Sequence, residues 1–121
     1  MWHSCGQYAL EALFFRSEPQ VLELCQQLIA LVQEVCGPVT VIPQKTRVAV
    51  QARVRFMACY PRKTHLLCHF WFKRRIEHPR FVKIEELGLR AVLHYVRIES
   101  EQDLDETFAG WVREAYLLAA R

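Results

Sequence analysis

The chain predicts an α+β domain, a five- to six-stranded antiparallel sheet with an N-terminal and a C-terminal helix packed on one face. Three observations lead there. Apolar residues recur at helical spacing near the start (Val21, Leu24, Cys25, Leu28, Val32, Val35) and again at the end (Leu104, Phe108, Trp111, Val112, Ala115, Ala119). Between the two stripes the pattern switches to period-two alternation, the mark of strands with one buried face. The same middle stretch carries nearly all the positive charge: from Gln44 to Arg90 twelve Lys or Arg stand against three acids, a net of +9. Residues 1–43 set Arg16 against four acids, and residues 91–121 set three bases against six. Two amphipathic helices that flank a run of strands must bury their stripes on the sheet, which gives two layers.

Residues 1–16 lack periodicity and read as an irregular lead-in with a short helical turn over 8–15; residues 17–121 read as a single domain. Ser17-Glu-Pro-Gln20 predicts a helix start, with Ser17 as N-cap, Pro19 in the first turn where its missing N–H costs nothing, and Gln20 reaching back. Gly37-Pro38 ends that helix. Strands follow at 39–42, 46–51 and 54–60, with a bend near Ala52, and a turn at 61–64. The run 65–72 places Leu66, Cys68, Phe70 and Phe72 on one face and His65, Leu67, His69 and Trp71 on the other, as in a central strand; its second side is left for a partner, a loop or a homodimer contact. A charged connection (73–79) leads to strands at 80–87 and 90–98, read as the end of a meander. Val48, Val50, Val54, Phe56, Leu66, Phe70 and Phe72 form the expected scaffold beneath the helices. Ser100-Glu-Gln-Asp103 is a capping box that opens the final helix, with acids suited to the positive end of its dipole.

Composition narrows the class. At 121 residues and 52% hydrophobic, the chain can bury one core and is too short for two ordinary domains. No apolar run approaches the ~20 residues of a membrane span, and the N-terminus lacks the order of a signal peptide, so the expected address is cytoplasmic, with no membrane partner. Five cysteines, without a Cys-x-x-Cys pair, encode neither a disulfide framework nor a complete zinc site and read as reduced thiols.

Lys45, Arg47, Arg62, Lys63 and Arg80 are the candidate site: five cations that, if they converge at one end of the sheet, would hold an anionic ligand or an acidic partner surface. The competing reading is a solvated basic face paired with the acidic helices. A nucleic-acid alternative adds Trp71, Phe72 and Phe81 as stacking platforms on the basic sheet. His65 and His69 stand ~13 Å apart along a strand and cannot share an ion, while His94 reads as a hydrogen-bonded core or rim residue. Cys25 and Cys36 share a helix face and read as buried small hydrophobes. Cys59 or Cys68 could in principle meet a histidine, and Glu99, Glu101, Asp103, Asp105 and Glu106 could form a cation-binding ridge, although capping already accounts for most of these acids. No nucleophile, base and orienting group stand at informative spacing and no cofactor motif is present, so a binding module is favoured over an enzyme.

Pro43-Gln-Lys-Thr-Arg47, Pro61-Arg62-Lys63, Arg74-Arg75, His78-Pro-Arg-Phe81 and Asp103-Leu-Asp-Glu106 with Trp111 and Glu114-Ala-Tyr116 resemble, in order and spacing, a family of small, mostly bacterial domains of unknown function. The resemblance implies a YdhG-like fold, a group associated with a frataxin-like iron-chaperone role. Many relatives carry a zinc-ribbon-like head, Trp-x-Cys-Pro-x-Cys-Gly-Arg followed by Asn-Gln-x-His-Ser-Cys-Gly. Only its second half, His3-Ser-Cys-Gly6, stands here. His3 and Cys5 are therefore half of a metal site that ligands from outside this chain would have to complete.

Overall fold

The computed structural model describes residues 10–88 and 91–120. A 3-10 helix (Leu10–Phe14) leads into α1 (Pro19–Cys36); six strands follow, β1 (Thr40–Pro43), β2 (Val48–Gln51), β3 (Arg55–Pro61), β4 (Leu66–Phe72), β5 (Phe81–Gly88) and β6 (Ala91–Ile98), and then α2 (Glu106–Ala119). All neighbours in the sheet are antiparallel. The expected class, an antiparallel sheet with one helix from each end of the chain, is the one observed.

Helix α1 starts one residue later than its capping sequence suggests. Glu18, not Ser17, is the N-cap, and no side chain caps the helix. The Ser17 hydroxyl instead donates to the Arg62 carbonyl (2.7 Å), and the Glu18 N–H donates to the Lys63 carbonyl (2.8 Å), so both groups pin the helix start to the β3–β4 turn. The Gln20 amide donates to the Glu18 side chain rather than reaching back to Ser17. At the other end Gly37 has φ +81°, a left-handed value natural to glycine, and its N–H donates to the Gln33 carbonyl.

The final helix also departs from its expected start. A 3-10 turn, Glu101–Asp103, takes up the capping box: the Asp103 carboxylate accepts from the N–H groups of Ser100 (3.2 Å) and Glu99 (2.8 Å). Asp105 then caps α2, its Oδ1 accepting from the Phe108 N–H at 3.0 Å. Two caps in series turn the chain twice, which lets α2 leave the end of β6 and come back across the sheet.

Strand order is β1-β2-β3-β4-β6-β5, so the last two strands do not complete the expected meander. Their side chains explain the exchange. In β6, Val92, Leu93, His94, Val96 and Ile98 are buried, whereas β5 has no buried residue and carries Lys83, Glu85 and Glu86. The apolar strand takes the interior place beside β4, and the charged strand forms an edge, where charge discourages pairing with other chains.

On one sheet face, Leu66, Cys68, Phe70 and Phe72 of β4 join Val21, Leu24, Leu28 and Val32 of α1 and Phe108, Val112 and Ala115 of α2 in one core, with Leu10 and Phe14 at its margin. Phe108 meets Phe70 edge-on at 5.4 Å. Val48, Val50 and Phe56 belong to this core as expected, but Val54 does not: it is 55% exposed in the bend after β2. Cys25 is buried and Cys36 only half-buried.

The 73–80 connection runs along α2. Arg74 makes a two-pronged contact with Glu114 (2.9 and 3.1 Å), and the His78 ring packs 5.0 Å from Trp111. Arg80 donates to both oxygens of Asp105 (3.0 and 3.2 Å) and to the Asp103 carbonyl (2.7 Å), with its guanidinium 5.4 Å from the Trp111 ring centre. Burial works against ionisation of Asp105, but the Phe108 N–H and the Arg80 charge outweigh it and hold the carboxyl below its usual range. Asp105→Ala should lower stability by about 1–2 kcal/mol through the lost cap, and urea unfolding of the Arg80→Ala, Asp105→Ala double-mutant cycle should show a coupling of about 0.5–1 kcal/mol; strict additivity would show the pair to be idle.

Candidate functional site

Because the alternation in β3, β4 and β6 assigns every second residue away from the helices, the register alone defines a second face. Ala49 lies opposite Ala58, Ala58 opposite His69, and His69 opposite Tyr95; Tyr60 lies opposite Leu67 and Trp71 opposite Leu93. No described helix covers this face. Its centre is nevertheless sealed, since His69 is only 3% exposed. Alanines on β2 and β3 leave space beside the imidazole, and three rings close round it edge-on: Tyr60 at 5.6 Å, Trp71 at 6.2 Å and Tyr95 at 5.3 Å. His69 Nδ1 is buried without a hydrogen-bond partner among the described residues.

Cations surround these rings. Arg47 donates through Nη1 to the Tyr60 hydroxyl (3.2 Å) and through Nε to Gln44 Oε1 (2.8 Å). The Arg62 guanidinium lies 5.7 Å from the Tyr60 ring centre, and Lys83 Nζ lies 5.4 Å from that of Tyr95. Tyr60, Arg62, Leu67, Val82, Lys83 and Tyr95 line a cleft of about 360 Å³ on this face. Desolvation by burial, seconded by the charge of Arg47, pushes the His69 pKa down to about 4, so the centre of the face is a neutral imidazole.

A second concavity opens where the β1–β2 and β3–β4 turns meet the segment before α1. Its lining includes Phe15, Arg16, Ser17, Lys45, Thr46, Arg62 and Lys63, it measures about 400 Å³, and no acid among the described residues contributes to it. Of the five cations singled out from sequence, Lys45, Arg62 and Lys63 share this hollow. Arg47 turns to the sheet face, and Arg80 is committed to Asp105, Asp103 and Trp111. Arg62 lines both the hollow and the cleft.

Other candidates are placed elsewhere. Phe72 is buried against His94 (4.8 Å) and Phe81 packs on Trp111 (4.4 Å), so of the three expected stacking residues only Trp71 lies on the uncovered face. His94 is a core residue: its Nε2 accepts from the Ile76 N–H (2.9 Å) and its Nδ1 donates to the Val92 carbonyl (3.2 Å). Cys59 and Cys68 face one another across β3 and β4 with their sulfurs 3.0 Å apart in the core, and their mutual contact followed by burial holds the Cys59 thiol well above its usual pKa. His69 lies on the opposite face from both thiols. Four acids of the supposed ridge are engaged: Glu99 with Arg97, Glu101 accepting from the Gln27 amide, and Asp103 and Asp105 with caps and Arg80. No group of three or more His, Cys, Asp or Glu among the described residues can hold a metal ion, and His3 and Cys5 lie outside those residues.

Tyr60, Lys83, Tyr95 and Arg16 were not anticipated. Tyr60 and Tyr95 were legible in principle, since alternation puts them on the non-core face; Lys83 was not, because alternation puts it on the side of Phe81 and a register shift between the two turns it towards Tyr95. Nor was Arg16, because only folding brings it against turns whose lining residues, Lys45 to Lys63, lie 29 to 47 positions further along.

Fold and site together define a two-layer α+β domain: one sheet, both helices on one side, and an aromatic and cationic surface on the other. The chain belongs to the family described as Domain of unknown function (DUF5655), which matches residues 11–119. No curated protein and no solved structure matches the chain. No helix among the described residues is long and apolar enough to cross a membrane.

The neutral state of His69 makes a test of the site's packing. Unfolded, its pKa is near 6.5; folded, about 4. Protons therefore favour the unfolded chain, and the stability tied to His69 is complete above about pH 6.5 and lost as pH falls towards 4. The loss is about 2–4 kcal/mol, to which His94, lowered chiefly by burial, adds in the same direction. His69→Phe keeps a ring in the cage and removes the unpartnered nitrogen, so its urea midpoint should fall much less between pH 7 and pH 4.5 than that of the wild type; an equal fall would clear His69 of the effect.

Proposed function

We propose that this domain is a cytoplasmic binding module of bacterial origin that holds an anionic ligand, or an acidic surface of a partner, in the hollow between the β1–β2 and β3–β4 turns. The observation that carries the reading is the convergence of Arg16, Lys45, Arg62 and Lys63 on one concavity without an acid in its lining. Elsewhere, pairing with acids answers for part of the positive charge: Arg74 with Glu114, Arg75 with Glu77 and Glu86, Arg80 with Asp105, Lys83 with Glu85, and Arg97 with Glu99. A solvated basic face balanced by acidic flanks therefore accounts for those cations. It does not account for Lys45 and Lys63, which have no ion pair among the described residues.

Cations held close together repel one another, so such a cluster is a standing cost that a bound anion removes. Two backbone contacts keep the hollow in shape, since Ser17 and Glu18 tie the start of α1 to the carbonyls of Arg62 and Lys63. Those carbonyls are occupied, which leaves the Arg62 and Lys63 side chains as donors. On the same reading the domain is YdhG-like, and His3 with Cys5 is half of a zinc site to be completed from outside this chain.

Calorimetric titration with inorganic pyrophosphate at low ionic strength tests the proposal. Lys45→Ala and Lys63→Ala should each weaken binding about tenfold, the loss of one charge-assisted contact, and added salt should weaken the wild type. Arg75→Ala, whose partners are Glu77 and Glu86, should leave affinity unchanged. Absence of binding, or equal weakening by Arg75→Ala, would sink the reading.

A further inference from the structure

The cleft on the sheet face adjoins the hollow through Arg62, and its chemistry differs from that of the hollow. Its floor is apolar, Leu67 of β4. Tyr60 of β3 stands beside Leu67 in register, and Tyr95 of β6 stands opposite the next residue on the same face, His69. Two tyrosine rings therefore flank one aliphatic side chain, and each ring carries a cation against it, Arg62 on Tyr60 and Lys83 on Tyr95. No carboxylate among the described residues lines the cleft; Glu85 stands outside it, 3.8 Å from Lys83. At about 360 Å³ the space falls within the ~300–1,000 Å³ typical of small-molecule sites.

Each part selects for a ligand property. A carboxylate or phosphate alone has no use for two tyrosine rings and a leucine. A flat ring does: it gains dispersion and stacking from the tyrosines and can replace the cation against either of them, a contact worth little at an exposed site. The hollow, one arginine away, takes the negative group. A second copy of this chain is a poor occupant, because a two-fold contact sets a patch against itself and would bring Arg47 and Arg62 of both copies together, with Glu85 beside Lys83 as the acid at hand.

We infer that hollow and cleft form one composite site for a phosphorylated nucleoside, with the base between Tyr60 and Tyr95, the phosphate on Lys45 and Lys63, and Arg62 between them. The inference rests on the reading of the hollow as an anion site and adds the aromatic half of the ligand. Free nucleotides and the nucleotides of a single strand share this chemistry.

Calorimetry and NMR on the full chain separate these possibilities, with inorganic phosphate, AMP, adenosine and an eight-residue oligothymidylate as probes. AMP should bind at least about tenfold more tightly than phosphate, the contribution of one stacked base, and should shift the ring resonances of Tyr60 and Tyr95. Tyr60→Leu and Tyr95→Leu should abolish that advantage while leaving the phosphate affinity intact; Lys45→Ala should weaken phosphate and AMP alike. Should a tyrosine variant fail to fold, as thermal unfolding would reveal, Lys83→Ala tests the same wall from an exposed position and should change AMP binding without changing phosphate binding. An oligonucleotide that binds more tightly than AMP assigns the site to single strands, and equal affinity assigns it to free nucleotides. If AMP binds no better than phosphate, the composite site is refuted while the anion reading survives; if neither binds, both fall. A concentration-dependent dimer in light scattering that Tyr95→Leu dissociates would make the face a homodimer contact and overturn the inference.

Discussion

The structure depends on the position of β4, which is hydrogen-bonded on both sides, to β3 and to β6. A strand in that place satisfies its backbone within the sheet and must find surroundings for side chains on both faces. One face is simple: Leu66, Cys68, Phe70 and Phe72 meet two helices and vanish into the core. The other carries Leu67, His69 and Trp71, for which no described helix provides cover. The neighbouring strands solve this by placing alanines where the imidazole needs room and tyrosines where it needs walls. A face built for its own burial thereby acquires aromatic rings at its surface, and these attract Arg62 and Lys83 by the ordinary cation–π attraction.

Charge follows a similar division of labour. Along the 73–80 connection and on β5 and β6, basic side chains meet acids from α2 or from nearby in the chain, and the pairs with α2 and its cap fasten the connection to the helix it runs along. Exposed pairs of this kind stabilise weakly one by one. Their value lies in orientation: Arg80 joins a cap, a carbonyl and an indole ring, so the end of the connection and the start of α2 share one anchor. At the turns beside α1 there is no such pairing among the described residues, and the cations of the hollow are left for solvent or for a ligand.

Sequence patterns were most informative where local and tertiary preferences agree. The stripes of α1 and α2, the alternation of β4 and the core residues Phe56, Phe70 and Phe72 follow from spacing alone. Patterns misled where a side chain had a stronger distant partner. Ser17 has the chemistry of a cap and spends its hydroxyl on Arg62; Arg80 has the chemistry of an anion receptor and spends its fork on Asp105. Val54 has the apolarity of a core residue and sits in a bend that presents it to solvent. In each case the residue type was read correctly and its partner was not, because partners separated by tens of residues leave no trace in spacing.

By itself, then, the sequence determined the two-layer class, the faces of the helices, the two sides of β4 and the gathering of positive charge in the middle of the chain, since periodicity and composition are properties of neighbours along the chain. Only the tertiary structure decided that β6 slips between β4 and β5, that Lys45, Arg62 and Lys63 join Arg16 at one hollow while Arg47 and Arg80 go elsewhere, and that Tyr60 and Tyr95 enclose His69. The physical reason is the same for all three. Which strand goes inside, which cation finds an acid and which rings share a cage are settled by competition for burial and for counter-charge among residues remote in sequence, and that competition has an outcome only once the whole chain has folded.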